Sequence, residues 1–320
     1  MNYRSNEAKE YAREHMKGIW AAALNPMLPD GAIDEQGLRS NIRHWVDDLN
    51  IQGLFIAGKQ GEFFSMSVAE RKRNFEVAVE AVRACDKPAG TIMSCSDQNF
   101  DTVLELARHA EQVGADYIVV HAPVLHFIHD RDETLYNYYK TLCDQLDIGI
   151  AMWSHPDSGY LMSPQLCARL AELPNIMAIK YSVPREMYAE LTQLAGDRIL
   201  VSTASEDEWF DNIVELNWQL YLCSSPPYLL QTKNDLRMHE YTELAMAGKI
   251  DQARKVRDSL EPVRQALKST RPGGKPQAHQ KYWQELLGQA GGPVRAPLLQ
   301  LTEAEKAATL QAFEQCGLQR

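Results

Sequence analysis

The chain has 320 residues, of which 45% are apolar and 24% charged, and this composition is typical of a globular protein with a substantial core. It carries 33 Lys and Arg against 43 Asp and Glu, and the resulting net charge of −10 argues against nucleic acid as a partner. No apolar run approaches the roughly 20 residues of a membrane span, and the N-terminus lacks the apolar core of a signal peptide, so we expect a cytoplasmic protein with no membrane partner. The six cysteines are scattered without a CxxC motif, which predicts reduced thiols and no zinc site.

The predicted elements begin with a polar helical arm over residues 1–17, which we expect to lie outside the core. From residue 18 onward, compact apolar runs typical of buried strands alternate with runs that carry apolar residues at helical spacing. The sixth strand ends at Lys180, and the other predicted strands are Ile19–Leu24, Gly53–Ala57, Gly90–Met93, Asp116–His121, Ile148–Trp153, Ile199–Ser202 and Leu220–Cys223. The predicted helices that follow the strands are Asp34–Leu49, Ser67–Cys85, Asp97–Val113, Arg131–Leu146, Pro164–Leu173, Pro184–Leu194 and Ser205–Leu216.

Strand–helix units at a spacing of roughly 30 residues predict a parallel sheet with right-handed crossovers, and eight such units close a barrel. The predicted fold class is therefore α/β, a (β/α)8 barrel over residues 18–228. Residues 229–320 are mostly helical and exceed what the eighth unit needs, so they predict a C-terminal helical region. The helices expected there are Met238–Ala247, Ile250–Leu267, His279–Leu287 and Glu303–Cys316.

A single lysine, Lys180, ends the sixth predicted strand, and the four residues before it are all apolar. Lysine is almost never fully buried without a reason, and desolvation lowers the pKa of its amine and makes it a nucleophile. The working residues of a barrel lie at the C-terminal ends of its strands, which is where Lys180 falls. The alternative is a strand-end lysine whose long stem lets the ammonium group reach solvent.

A loop with two glycines, Gly58-Lys59-Gln60-Gly61-Glu62, follows the second predicted strand. Glycines let a backbone approach a ligand closely and present N–H groups to an anion such as a carboxylate. The alternative is a tight turn in which Glu62 begins a helix. The coincidence of this loop with a strand-end lysine four units later favours a binding site.

These motifs resemble the dihydrodipicolinate synthase / N-acetylneuraminate lyase family of class I aldolases. The resemblance rests on Gly58-x-x-Gly61-Glu62 and on Ile179-Lys180, and it spans about residues 18–318. Further matching stretches are His109–Asp116 before strand four, Pro156–Gly159 after strand five and Gly292–Leu298 near the end. The resemblance implies a Schiff base between Lys180 and a 2-oxo acid, commonly pyruvate, and usually a homotetramer. Because the iminium withdraws electrons as a metal would, it implies neither a cofactor nor a metal.

The stretch after strand five departs from the family. Where the family carries a proton-relaying tyrosine, typically in Tyr-Asn-x-Pro, this chain has Trp153-Ser154-His155-Pro156. An indole donates a hydrogen bond but cannot act as a general acid or base. The predicted catalytic residues are therefore Lys180, Trp153 in the tyrosine position, and His155 as the best candidate for the missing proton carrier. His121 and His126 are further groups that titrate near neutral pH.

The predicted substrate-binding residues combine the glycine loop with strand ends, and they are Gly58, Lys59, Gln60, Gly61, Glu62, Ser154, Ser202 and Leu222. Lys59 and Gln60 replace two hydroxyl residues of the family, so the carboxylate contacts are altered while the glycine backbone remains. A more apolar mouth than lysine biosynthesis needs is predicted from Trp153, Val124, Leu125, Phe127 and Phe64.

Three functions stay open on this sequence. The first is a Schiff-base lyase, an aldolase or hydratase-aldolase that acts on a pyruvate-type 2-oxo acid with a non-standard, perhaps aromatic, acceptor. The second is a keto-deoxy sugar-acid dehydratase that uses the same iminium, because residues 61–65 resemble a stretch of such dehydratases. The third is a barrel that binds a keto acid without catalysis.

Overall fold

A computed structural model describes residues 2–126, 129–223 and 226–319. Within these ranges, eight parallel strands form one sheet in the order β7-β6-β5-β4-β3-β2-β1-β8, which makes a nearly closed barrel. The strands are β1 Gly18–Ala22, β2 Gly53–Ile56, β3 Gly90–Ser94, β4 Tyr117–His121, β5 Gly149–Ser154, β6 Ile176–Tyr181, β7 Leu200–Ser202 and β8 Leu220–Leu222. The predicted (β/α)8 barrel is confirmed.

The helices outside the barrel and in the C-terminal region follow the predicted order. Those up to β8 are α1 Ala8–His15, α2 Glu35–Arg43, α3 Val68–Arg83, α4 Phe100–Val113, α5 Arg131–Gln145, α6 Pro164–Leu170, α7 Arg185–Ala195 and α8 Trp209–Leu216. The C-terminal helices are α9 Arg237–Met246, α10 Ile250–Ser259, α11 Glu261–Ser269, α12 Pro276–Leu286 and α13 Glu303–Gln315. No helix in the described ranges has the length and apolarity needed to cross a membrane.

Trp20 fills the N-terminal end of the barrel interior. A Cβ added to Gly53 would lie 2.1 Å from the Trp20 ring, and one added to Gly90 would lie 2.3 Å from it. Glycine at the first position of β2 and of β3 therefore leaves the space that the indole occupies. Because strands with helices on one side and packed side chains on the other are buried on both faces, their residues are almost continuously apolar.

The N-terminal arm packs against the core, and the prediction that it lies outside is wrong. Ala8, Ala12 and Met16 are fully buried within the main hydrophobic cluster. The Tyr3 hydroxyl accepts a 2.9 Å hydrogen bond from the Gly149 N–H at the start of β5. A spacing of four residues places Ala8, Ala12 and Met16 on one helix face, which is a narrow apolar stripe among charged neighbours.

The predicted helix Ile250–Leu267 is two helices, α10 and α11, because Pro262 interrupts it. Proline has no backbone N–H to continue the hydrogen-bond ladder, and its ring crowds the preceding turn. Pro262 lies within the first two positions of α11, where a missing N–H costs nothing.

A side chain joins the two strands at the ends of the sheet order. The Ser202 hydroxyl, at the end of β7, accepts a 2.7 Å hydrogen bond from the Leu222 N–H on β8. Both residues are fully buried. The Leu222 N–H therefore depends on Ser202 rather than on a backbone carbonyl.

The Ser202→Ala variant should unfold about 1–3 kcal/mol more easily, because the buried Leu222 N–H loses its acceptor. Urea unfolding followed by circular dichroism measures this loss. Ser269→Ala is the matched control, since the exposed Ser269 hydroxyl donates to the carbonyl of its own helix, and its effect should stay within about 0.5 kcal/mol. Equal stability of the two variants would contradict the role given to Ser202.

Candidate active site

Three neighbouring strands place one side chain each at the same level of the barrel interior. Residues His121 on β4, Trp153 on β5 and Lys180 on β6 are register partners across the sheet. Partners in parallel strands point to the same face. Ser202 on β7 continues this row as the register partner of Lys180.

Lys180 is fully buried, and its surroundings favour the neutral amine. Its Nζ donates a 2.7 Å hydrogen bond to the Cys223 carbonyl. The Phe55 and Trp153 ring centroids lie 4.7 Å and 5.0 Å from Nζ. Burial lowers the pKa of Lys180 to about 7; Cys223 opposes this change, and the positive charge of Lys59 adds to it. A substantial fraction of the amine is thus nucleophilic at neutral pH.

The glycine loop after β2 lies beside Phe55. A Cβ on Gly58 would lie 2.7 Å from the tip of the Phe55 ring, so glycine is needed where the ring contacts the loop. Ala57 and Glu62 flank the loop with φ of 51° and 59°, a region that residues with a side chain rarely adopt. Within the described residues, the N–H groups of Lys59, Gln60 and Gly61 donate to no acceptor. The loop thus offers N–H donors to an anion.

Glu62 anchors this loop to the C-terminal helical region. One carboxylate oxygen accepts a 2.7 Å hydrogen bond from Lys281 Nζ on α12, and the other accepts a 2.9 Å bond from the Arg295 N–H. Glu62 and Lys281 are both fully buried. Since both oxygens of Glu62 are engaged, this residue holds the loop in shape, and the structure does not place it as a substrate contact.

A cavity of about 300 Å³ opens at the C-terminal end of the barrel and is lined by Lys59, Phe63, Phe64, Ser96, Asp97, Gln98, His121, Ala122, Pro123, Val124, Trp153 and Asp157. Of the residues predicted to form an apolar mouth, Trp153, Val124 and Phe64 line it. Leu125 packs partly buried against the core instead. Phe127 lies outside the described residues. The Trp153 ring both lines the cavity and lies next to the Lys180 amine.

Two histidines contact the Trp153 ring. The His121 ring meets it edge-on at 4.7 Å between centroids, and the His155 ring lies 6.3 Å away. Nδ1 of His155 is 3.1 Å from the Asp157 N–H, and the Asp157 carboxylate forms an ion pair with Lys59. Burial lowers the pKa of both histidines, and that of His121 falls to about 4. Both rings are therefore neutral near pH 7.

Of the remaining predicted site residues, Ser154, Ser202 and Leu222 form hydrogen bonds within the protein. The Ser154 hydroxyl accepts a 3.0 Å hydrogen bond from the Met162 N–H, and Ser202 and Leu222 form the contact between β7 and β8. Gln60 is half-buried in the loop, and His126 is exposed. Among the described residues, no group of three or more His, Cys, Asp or Glu side chains could hold a metal ion.

Comparison with known proteins agrees with this geometry. The model of the dihydrodipicolinate synthetase family matches residues 15–316. The chain belongs to this family. Members of the family are lyases of the class I aldolase type, and this chain is an enzyme of that type.

Individual members of the dihydrodipicolinate synthetase family are similar over much of the chain. A 4-hydroxy-tetrahydrodipicolinate synthase of Methanothrix thermoacetophila is 27% identical over 294 residues, which is 91% of this chain and 94% of the relative. An N-acetylneuraminate lyase of Clostridium perfringens is 34% identical over 168 residues, which is 52% of this chain and 57% of the relative. The structure of CdNal from Clostridium difficile in complex with mannosamine has a TM-score of 0.81 at 25% identity and covers 94% of this chain and 99% of that chain.

Two residues of this family site were missed by the sequence analysis. Phe55 forms a wall beside Lys180, and strand alternation gives a signal for it, because it lies two residues after Gly53 on the inward face of β2. Lys281 carries no comparable signal. A lysine on a helix is usually solvent-exposed, and its partner Glu62 is 219 positions away in the chain.

The Lys281→Met variant should lose about 3–5 kcal/mol of unfolding free energy, because it leaves the buried Glu62 carboxylate without its cation. Chemical denaturation measures the loss. Lys306→Met is the matched control, since the Lys306–Glu303 pair is exposed, and its removal should leave the denaturation midpoint close to that of the wild type. Similar small losses in both variants would show that Glu62 is satisfied without Lys281.

Proposed function

We propose that the protein is a Schiff-base-forming lyase in which Lys180 attacks the ketone of a pyruvate-type 2-oxo acid. The observation that carries this proposal is a fully buried lysine with a pKa of about 7, whose neighbour Trp153 lines a cavity at the C-terminal end of the barrel. A neutral amine adds to a ketone and loses water to give an iminium. The iminium withdraws electrons and allows the neighbouring carbon to become an enamine or a carbon–carbon bond to break.

The glycine loop supports a carboxylate-bearing substrate. Its N–H groups at Lys59, Gln60 and Gly61 have no acceptor within the described residues, and the loop contacts the Phe55 ring that also flanks Lys180. We infer that these groups hold the carboxylate of the 2-oxo acid while its ketone meets the amine. The relatives named as 4-hydroxy-tetrahydrodipicolinate synthase and N-acetylneuraminate lyase are consistent with such a substrate.

The cavity lining favours an apolar or aromatic acceptor. Phe63, Phe64 and Val124 offer apolar surface, and the Trp153 ring can pack edge-on or offset against an aromatic group. Trp153 Nε1 is a buried donor without an acceptor in the described ranges. We infer that this N–H donates to a substrate oxygen, which keeps the donor half of the family tyrosine's role.

The aldolase reading is preferred over the sugar-acid dehydratase because of these aromatic walls. Phe63, Phe64, Val124 and Trp153 give the cavity a largely apolar wall. The hydroxyls of a polyhydroxy acid would have to bind the polar side chains of the same lining, which are Lys59, Ser96, Asp97, Gln98, His121 and Asp157. Product analysis separates the two functions: an aldehyde is released by the lyase, and a dehydrated keto acid by the dehydratase. A barrel that binds without catalysis would give neither product.

Borohydride reduction with pyruvate should place a covalent adduct on Lys180, located by peptide mass spectrometry. Trapping should increase about tenfold between pH 6 and pH 8, because protonated amine predominates below a pKa of about 7 and free amine above it. Lys180→Arg should abolish trapping, while Lys59→Arg, which changes the lysine lining the cavity, should retain it. An adduct on Lys59 would overturn the assignment.

We also propose a homotetramer, on the basis of the family and of the extra C-terminal helices. Multi-angle light scattering at micromolar concentration should give four times the 36.2 kDa mass of one chain. A monomer mass under these conditions would refute the proposal.

A further inference from the structure

His121 lies in the wall of the cavity, two strands away from the predicted imine. Within the described residues its Nε2 has no hydrogen-bond partner, although its Nδ1 is held on both sides. We propose that His121, through Nε2, is the group that accepts and returns the proton during the carbon–carbon step. This proposal rests on the proposed function, because it requires an iminium on Lys180.

The hydrogen bonds around Nδ1 fix the tautomer of His121. Nδ1 lies 2.8 Å from the Ala122 carbonyl, which can only accept. Its second neighbour, the Ser158 hydroxyl at 3.3 Å, donates its hydrogen to that same carbonyl at 2.8 Å. Since Ser158 has no second hydrogen to donate, both neighbours of Nδ1 act as acceptors. Nδ1 therefore carries the hydrogen, and the neutral ring presents a lone pair at Nε2.

Burial keeps the His121 ring neutral. Burial lowers its pKa to about 4, and the Ala122 carbonyl opposes that change. His155 and Lys59 also lower the pKa of His121, while Asp157 raises it. The ring is thus a base without a proton on Nε2 over the whole pH range in which the Lys180 amine becomes nucleophilic.

The strand register places His121 where the acceptor part of the substrate must lie. His121 and Lys180 are both register partners of Trp153, so two strand spacings, about 10 Å, separate their Cα atoms. The Lys180 side chain and the carbon chain of an aldol adduct fit between them. His121 also lines the cavity next to Val124, whose side chain we assign to the acceptor pocket.

His155 lacks both the position in the cavity lining and the free lone pair at Nε2 that His121 has. It is absent from the cavity lining. Its Nδ1 accepts a 3.1 Å hydrogen bond from the Asp157 N–H. The neutral ring of His155 therefore carries its hydrogen on Nε2, which leaves no lone pair there to accept a substrate proton. His121 is therefore the better base of the two histidines that contact Trp153.

The proton and electrons balance in the cleavage step. The substrate is a 4-hydroxy-2-oxo acid bound as an iminium, and Nε2 of His121 removes the proton from the oxygen of its C4 hydroxyl group. The O–H electrons form the aldehyde C=O, the C3–C4 bond breaks, and its electrons form the C2=C3 bond while the iminium π electrons return to nitrogen. His121 then returns the proton to C3 of the enamine, and water hydrolyses the pyruvate iminium to release Lys180.

Hydrogen exchange in pyruvate tests this role without knowledge of the natural acceptor. Removal of a C3 proton from the pyruvate iminium is the reverse of enamine protonation, so the enzyme should exchange the methyl protons of pyruvate in D2O, as measured by proton NMR. His121→Asn keeps a donor near the Ala122 carbonyl but has no base, and His121→Gln is a second variant if the first does not fold. We expect either variant to exchange about 10²–10⁴ times more slowly, with borohydride trapping on Lys180 unchanged. His155→Ala should slow the exchange less than either His121 variant does.

The outcomes separate this inference from the proposed function. If a His121 variant still traps pyruvate and exchanges its protons within threefold of the wild-type rate, the role of His121 is overturned. A larger loss of exchange in His155→Ala than in the His121 variants would also overturn it. A wild-type enzyme that traps pyruvate but exchanges no protons would also overturn it. A wild-type enzyme that neither traps nor exchanges would remove the proposed function and this inference together.

Discussion

Lys180 holds its amine inside the barrel with one backbone carbonyl as acceptor and two aromatic rings as walls. The rest of the site depends on this desolvation. A carboxylate beside the amine would stabilise the ammonium form and remove the nucleophile. The Cys223 carbonyl instead accepts a hydrogen bond from either protonation state. The barrel packing that buries Lys180 thus lowers the pKa of its amine, as the proposed Schiff-base chemistry requires.

The C-terminal helical region contacts the glycine loop through the buried Glu62–Lys281 ion pair and two further hydrogen bonds. Lys281 and the Arg295 N–H hold both oxygens of Glu62, and Glu62 ends the glycine loop that follows β2. The Gln277 side chain on α12 adds a 3.3 Å hydrogen bond to the Lys59 carbonyl. The loop therefore takes its shape from residues more than 200 positions further along the chain, and the helical region contributes to the active site as well as to the outer surface.

Most of the barrel follows from local pattern in the sequence. Buried strands appear in the sequence as continuous apolar runs, and Lys180 is conspicuous because it is a charged residue at the end of such a run. The errors come from features that have little local signal. The stripe of Ala8, Ala12 and Met16 is too narrow to distinguish a buried helix from a solvated arm, and the break at Pro262 was masked by the apolar periodicity on either side. The Glu62–Lys281 pair and the tautomer of His121 depend on contacts between distant segments, which periodicity does not report.

Trp20 closes the N-terminal end of the barrel interior in the described part of the chain. With an indole packed against Gly53 and Gly90, the N-terminal end of the barrel interior is filled, and the cavity opens only toward the C-terminal end in the part of the chain that the structure describes. A substrate group bonded to Lys180 therefore lies deeper in the barrel than a group that packs against Phe63 and Phe64 in the cavity. For a reaction that cleaves one molecule into two, this difference in depth sets the order of product release. The product nearer the opening leaves first, and the product bound to the lysine leaves last.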